Sequence, residues 1–536
     1  MRFDVVIAGG GFAGAYCARA LGRALGRAEG EKRVALISER NVLVFQPMLA
    51  EVAGSSLAPT DVVNPLRQFC RGVTVLQGAI RHVDWTARKL VMDGGRFTRD
   101  HTVEFGQLVL TLGSVTDLGA VPGMSEYGWP MKNVADALRL RAALINRLEE
   151  ANLIEDPIAR DRLLTFVVVG GGYTGAETAG QVLDFLRQAK RFYSNLRGAR
   201  IRTILAHSGG ELLADIGADL GAYARGALER RGVEVRLNTR VSEVSAIRVH
   251  FADGSAIEAN TVVSTIGNAP NPLAVDICRQ AGIDAPKGRV PTDETLRVPG
   301  CDGLWAAGDG ASVPWNDRGT MKVCAPTAQF ALRQGRLLGE NLARVLRGGQ
   351  AQPFRYRYLG QLAAIGERQA VAEILGWHFR GFIAWWLWRT IYLAKLPGTL
   401  RKLRVVIDWT FDLIFPRDIS LLLPPPDEAI RAAHLEKGEP LSVRGHICRA
   451  FALVRRGSLV LSAPGRPDRT VAAGGVVDEN ELDAKGAWIS SAVAAEPTDL
   501  VLLRGRALEL FKNELRLEGR KPAADVPPEK SPPNST

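Results

Sequence analysis

Apolar and polar positions follow two rhythms along this chain. Asp4-Val5-Val6-Ile7-Ala8 is a β-branched apolar run, which predicts a strand buried on both faces. From Ala15 to Leu25 apolar residues return every three or four positions, which predicts a helix. Gly9-Gly10-Gly11-Phe12-Ala13-Gly14 makes the turn between them. Further strands are predicted at 33–39, 73–76, 88–92 and 102–112, and a helix at about 134–151. The opening pattern then recurs. A strand at 164–169 runs into Gly170-Gly171-Gly172-Tyr173-Thr174-Gly175 and a helix, with glycines 170, 172 and 175 repeating the spacing of 9, 11 and 14. A strand at 202–206 follows. Gly303-Leu304-Trp305-Ala306-Ala307-Gly308-Asp309-Gly310 reads as one more strand, and 325–346 as a helix returning to the first unit. The second unit is therefore expected to be inserted inside the first.

A strand, a glycine turn and a helix in this order bind a dinucleotide. Gly9 permits the tight turn, Gly11 lets the backbone approach a pyrophosphate, and Gly14 lets helix and strand pack closely. Glu39 ends the second strand, where an acid accepts hydrogen bonds from ribose hydroxyls; the connection at 27–32 accounts for its distance from the turn. Two such turns imply two dinucleotides. In the second unit His207 stands where the ribose-binding acid is expected. It is a ribose hydrogen-bonder or a solvated strand-end residue. Without the acid a 2′-phosphate is not repelled, so NADPH is less excluded as a donor.

The 536 residues suffice for roughly three domains. The net charge of +11 suits an anionic surface; no nucleic-acid module is present, so a membrane is the better partner. The chain opens directly on a core strand, so no signal peptide is expected, and no run is long and uncharged enough to span a bilayer. Six scattered cysteines without CxxC fit a reducing compartment and no metal site.

The segment 377–395 carries four tryptophans, a tyrosine and flanking arginines, which predicts a helix lying at a membrane surface. A second amphipathic stretch at 405–415 places Asp408 and Asp412 on one face, and Arg401, Lys402 and Arg404 between the two suit anionic lipid. A dimer interface or a buried helix is the alternative. From 421–425 a linker leads to short strand-like runs at 451–454, 458–461 and 498–503, then a helix at 507–517 and a Pro-rich, disordered tail.

These motifs resemble the two-dinucleotide-binding flavoprotein reductases, and among them the type II NADH dehydrogenases (NADH:quinone oxidoreductases). The resemblance covers about 3–420. It rests on Gly9–Gly14 with Glu39, Phe45-Gln46-Pro47-Met48-Leu49, the second glycine turn with Glu177, Gly267-Asn268-Ala269-Pro270, Ala307-Gly308-Asp309, Ala325-Pro326-Thr327-Ala328-Gln329 and Gly360-Gln361-Leu362. It implies an α/β fold of two nested Rossmann-like domains, with FAD in the first and NAD(P)H in the second. Gly9, Gly11, Gly14, Glu39, Thr111, Gly113, Asp309 and Ala328 would hold the flavin nucleotide. Gly170, Gly172, Gly175, His207 and Gly267 would hold the nicotinamide nucleotide. Glu177 and Gln329 would be the catalytic residues, Gln329 with Ala328 beside the isoalloxazine where quinone arrives and Glu177 near the nicotinamide–flavin contact. Glu177 is equally explained as an acid at a helix start.

The expected division is 1–125 and 286–355 for the FAD unit, 126–285 for the NAD(P) unit, 356–422 for the membrane and quinone segment, 423–520 for a β-rich domain and 521–536 for the tail. The β-rich domain weakly resembles a cyclic-nucleotide-binding jelly roll. It lacks the arginine that would grip a cyclic phosphate, so a degenerate docking or regulatory module is expected. The implied enzyme passes two electrons from NADH through FAD to a membrane quinone without pumping protons. It would sit peripherally on the cytoplasmic side of the cell membrane, with a homodimer possible. The alternatives are a ferredoxin-type reductase, a sulfide:quinone oxidoreductase, for which Cys324 is the one candidate thiol, and a flavin-bound sensor.

Overall fold

Each glycine turn sits at the C-terminal edge of a parallel sheet. The computed structural model describes residues 1–95, 98–317, 319–421, 430–446, 450–478, 481–482 and 487–504. In the first sheet Arg2–Ala8 lies between Val34–Ser38 and His101–Leu110, parallel to both, and Thr74–Gln77 extends the edge. Lys89–Asp93 and Ala79–Asp84 fold back antiparallel on the start of His101–Leu110; the strand at 79–84 is not evident from the sequence pattern, because its middle is polar and exposed. Val5, Val6 and Ile7 are fully buried, as their β-branched run requires.

The second sheet is wholly parallel, in the order Gly128–Pro130, Thr261–Ser264, Thr165–Val169, Arg202–Ala206, Val233–Arg236. The chain enters this unit beyond Ser114–Thr116 and leaves through Asn268–Pro270, and these two strands pair antiparallel as a ribbon. Leu304–Ala306 then returns to the first sheet, parallel to His101–Leu110. The insertion expected from the sequence is therefore present. The helix Ala328–Val345 packs on Phe12–Leu25 at glycine contacts: a Cβ on Gly335 would lie 2.1 Å from the Ala13 carbonyl oxygen.

The tryptophan-rich segment differs in part from expectation. Trp377–Arg380 is an edge strand paired to Ala370–Ile374, and the helix begins only at Gly381. Aromatic residues favour strands as readily as interfacial helices, and Gly381, with φ +71°, makes the corner. The helix Gly381–Lys395 is followed by Thr399–Phe411. Both turn tryptophans inward (Trp388, Trp409) and large apolar residues outward: Phe382, Ile383, Trp386, Leu400, Leu403 and Phe411 are exposed, as are Ile414 and Phe415 in the turn that follows. No helix among the described residues is long and apolar enough to cross a membrane.

Two four-stranded antiparallel sheets form the C-terminal unit, in the orders Ile430–Leu435, Thr498–Arg504, Ala450–Arg456, Val476–Val477 and Pro440–Ser442, Ser491–Ala494, Ser458–Ser462, Arg469–Ala472. Phe451, Leu459, Trp488 and Leu500 fill a core of their own between them. The expected linker beyond 421, the helix at 507–517 and the tail at 521–536 lie outside the described residues.

Candidate functional site

Two cavities open at the glycine turns. The first, about 610 Å³, is lined by Gly9, Gly11, Glu39, Thr111, Gly113, Asp309 and Ala328 among others. It brings together residues expected from five separate stretches. Gly14 lies beneath the turn, where an added Cβ would sit 1.9 Å from the Gly9 carbonyl oxygen. Thr111 Oγ1 donates to the carbonyls of Ala8 (2.9 Å) and Gly9 (3.0 Å), pinning the turn to the neighbouring strand. Glu39 is exposed at the end of its strand, on the rim. Asp309 is held above its ordinary range by burial, against the opposing charges of Lys132 and Arg289.

The second cavity, about 410 Å³, is lined by Gly172, Gly175, Glu177, Ala328 and Gln329, with Tyr392 and Lys395 from the first outward-facing helix. It runs into the first: Phe12, Gln46, Thr116, Lys132, Asp309 and Ala328 line both. Gln329 is fixed by two hydrogen bonds, donating from Nε2 to the Gly360 carbonyl (2.8 Å) and accepting at Oε1 from the Tyr356 hydroxyl (3.0 Å). Glu177 is buried, and its Oε1 accepts the Ala364 N–H at 3.0 Å. Burial, reinforced by the charge of Glu51, pushes its carboxyl up to about 8.

Gly170, His207 and Gly267 line neither cavity. Gly170 makes its turn with φ +117°. The His207 Nδ1 accepts the Gly171 N–H at 3.1 Å, so the ring braces the second turn, and burial keeps it toward the neutral form. Gly267 sits at the ribbon, its carbonyl accepting the Asp117 N–H at 2.6 Å.

Several residues in or behind the cavity walls escaped the sequence reading. Lys132 joins the two units, its Nζ donating to Ser114 Oγ (2.8 Å) and Asn268 Oδ1 (3.0 Å). Lys395, drawn into the cavity wall, is pushed down to about 8 by burial. Glu51, also buried, accepts the Trp409 indole N–H at 3.0 Å and is pushed up to about 7 by burial. None of these stands in a motif; only the fold collects them.

The donor set fits two bound dinucleotides. The helices Phe12–Leu25 and Tyr173–Ala189 both start on a glycine with no side-chain cap, which leaves their first N–H groups free for phosphate oxygens. A Cβ on Gly11 or Gly172 would meet nothing within 4 Å, so each glycine faces open space that a pyrophosphate can fill. The thiol chemistry of disulfide or sulfide enzymes finds no support. Cys324 is buried and pushed up to about 11 by that burial, the reverse of an activated thiolate.

Comparison with known proteins agrees with this geometry. Residues 3–335 match the pyridine nucleotide-disulphide oxidoreductase family, and 358–418 match the NDH2 C-terminal domain. The chain is 30% identical to the type II NADH:quinone oxidoreductase Ndh of Mycobacterium tuberculosis, over 84% of this chain and 97% of that one. It is 28% identical to the demethylphylloquinone reductase NdbB of Synechocystis, over 76% and 96%. Its fold superposes on NDH2 from Plasmodium falciparum in complex with NADH with a TM-score of 0.72 at 19% identity, covering 78% of this chain and 99% of that one. With both glycine turns, the joined cavities and these matches together, the chain belongs to the type II NADH:quinone oxidoreductases of the pyridine nucleotide-disulphide oxidoreductase family.

Proposed function

We propose that this protein oxidises NADH or NADPH and reduces a membrane quinone. The observation that carries the reading is the continuity of the two cavities across Phe12, Gln46, Lys132, Asp309 and Ala328. FAD, when bound there, would supply the hydride acceptor and the electron carrier to quinone. Gly9, Gly11, Glu39, Thr111, Gly113 and Asp309 would hold that nucleotide from the first turn. Gly172 and the start of Tyr173–Ala189 would hold the pyrophosphate of the donor, with His207 bracing the turn. Gln329, locked by its two hydrogen bonds, and Glu177 would flank the quinone head. The reaction needs no side-chain nucleophile, so positioning and proton supply are what the chain contributes.

The outward apolar faces of Gly381–Lys395 and Thr399–Phe411 support a peripheral seat on lipid. The inner face of Gly381–Lys395 lines the second cavity through Tyr392 and Lys395, so a quinone held in the bilayer would reach the site without leaving the apolar phase. A homodimer through the same face is the competing occupant. We place the protein on the cytoplasmic side of the cell membrane because its +11 charge suits anionic lipid there. The division into an FAD unit interrupted by an NAD(P) unit follows the ribbon and the return of Leu304–Ala306.

The test is anaerobic. The purified yellow protein is mixed with NADH, and separately with NADPH, and flavin absorbance is followed before and after a soluble quinone is added. Bleaching, then recovery on quinone, is the expected result. Absence of bleaching with either donor would remove hydride transfer from the second turn and leave a sensor.

A further inference from the structure

Two carboxylates are buried at the second cavity, on two helices that pack together. Glu177, on the helix Tyr173–Ala189, lines the cavity; Glu51, on the short helix Leu49–Ala53, does not. Glu51 and Glu177 are 5% and 9% exposed, and the charge of Glu51 bears on Glu177. The outward-facing helices reach both: the Trp409 indole donates to Glu51, Trp388 lies beside Glu177, and the two indole rings are 6.3 Å apart.

Counting charges around the pair decides its protonation. The groups facing Glu51 are Arg389, Asp412, Arg417 and, across the pair, Glu177. Arg417 is already committed to Asp412 at 3.0 Å and to the Gly54 carbonyl at 2.9 Å. Arg389 is stacked on the rings of Trp385 (4.0 Å) and Trp409 (4.6 Å) and is the one cation left for the pair among the described residues that face it. Glu177 otherwise faces the Ala364 N–H and the phenols of Tyr392 and Tyr173, which are held neutral by burial. Two carboxylates and one uncommitted cation in a dry site leave one carboxyl group carrying a proton.

We propose that Glu51 is the proton-sharing partner of Glu177, and that it replaces on Glu177 the proton that Glu177 gives to the quinone. The stoichiometry calls for such a supply. NADH brings one hydride, that is, two electrons and one hydrogen, whereas a quinol carries two added hydrogens. The second comes from water. The Glu177 O–H bond breaks as an O–H bond forms on a quinone carbonyl oxygen. Glu51 then takes a proton from solvent, and its new O–H bond breaks as that of Glu177 re-forms. Glu51 touches no substrate and acts only through Glu177; this role rests on the proposed quinone site.

The decisive variant is Glu51→Gln in the full chain, with Glu51→Asp beside it. With Glu51 neutral, Arg389 balances Glu177 alone, and Glu177 ionises at lower pH. The alkaline limb of quinone reduction is expected to move down by about one pH unit or more, while anaerobic bleaching by NADH is unchanged. Glu51→Asp keeps the limb at its wild-type position. Infrared spectra at pH 7 give a reading independent of turnover: the carbonyl band of a protonated buried carboxylic acid, present in the wild type and Glu51→Asp, is lost in Glu51→Gln. A uniform fall in rate with an unmoved limb overturns the proposal and leaves Glu51 as an anchor for Trp409. So does identical behaviour of the Gln and Asp variants. A wild-type protein that bleaches with NADH but never recovers with quinone overturns the quinone reading itself, and this proposal with it.

Discussion

His434 of the C-terminal sandwich bonds Glu243 of the inserted unit through its Nε2 at 2.9 Å. Its Nδ1 meets Asp499 of its own sandwich at 2.6 Å, and its backbone N–H and carbonyl both pair with the Tyr127 hydroxyl at 2.9 Å. Burial alone would lower the imidazolium's pKa; the two carboxylates outweigh it and hold His434 above the ordinary histidine range. A folded-state pKa raised above the unfolded value contributes stability that is full below about pH 6.5 and is lost as pH rises through the folded value. Deuterium exchange in Ile430–Leu435 and Val241–Val244, corrected for the base-catalysed rise of the intrinsic rate, should therefore increase from pH 6 to pH 9. His434→Gln should raise it at pH 6 already, costing about 1–3 kcal/mol of docking. Exchange that ignores both pH and the substitution would mean that the apolar contacts alone hold the sandwich.

The two glycine turns can be told apart. Gly11→Val and Gly172→Val each place branched carbon in an open cradle without backbone strain, since both residues have negative φ. Gly11→Val is expected to purify without flavin colour. Gly172→Val is expected to stay yellow but bleach with NADH more than about tenfold slower, because a few tenths of an ångström of misplacement is costly in hydride transfer. Equal flavin content and equal bleaching in both variants would separate the turns from cofactor binding.

Glu177 couples stability to pH with the sign opposite to an ordinary surface acid. Its carboxyl is pushed up to about 8, chiefly by burial, so the folded state binds this proton more tightly than the unfolded chain does. The group costs nothing below about pH 4 and progressively more as pH climbs toward 8. Thermal scans of Glu177→Gln should show a smaller loss of Tm between pH 6 and pH 9 than the wild type. Parallel curves would mean a solvated carboxylate.

The outward apolar face predicts lipid binding. Trp386 and Ile414 are 56% and 73% exposed, so charges there leave the interior undisturbed. Burial of a side chain of this size contributes about 1.5–3 kcal/mol. Trp386→Glu with Ile414→Glu should then weaken co-sedimentation with anionic vesicles by about 100-fold or more. If the double variant still sediments with vesicles but no longer forms dimers in solution, the face belongs to a second copy.

Much of the architecture was readable before any coordinates. The glycines at 9, 11, 14 and 170, 172, 175 mark conformations and close approaches that few other residues tolerate, so their chemistry survives in the one-dimensional text. The same holds for the return of the chain at Gly308-Asp309. Glu51, Lys132 and His434 were not readable. Each is an ordinary charged letter in a helix, a turn or a strand, and its meaning arises from partners far along the chain. Trp377–Arg380 reads as helix in the sequence because its aromatic residues suit both a strand edge and an interface, and only the pairing with Ala370–Ile374 decides between them.

The insertion of the second unit also governs how the protein is made. Leu304–Ala306 closes the first sheet, and Ala307, Gly308 and Asp309 complete the wall of the larger cavity. All of these emerge from the ribosome after the whole inserted unit. The flavin nucleotide therefore has no finished pocket until the inserted unit has emerged and folded out of the way. Colour acquired during synthesis then becomes a clock for completed assembly: a chain that is yellow has already built everything between its two halves.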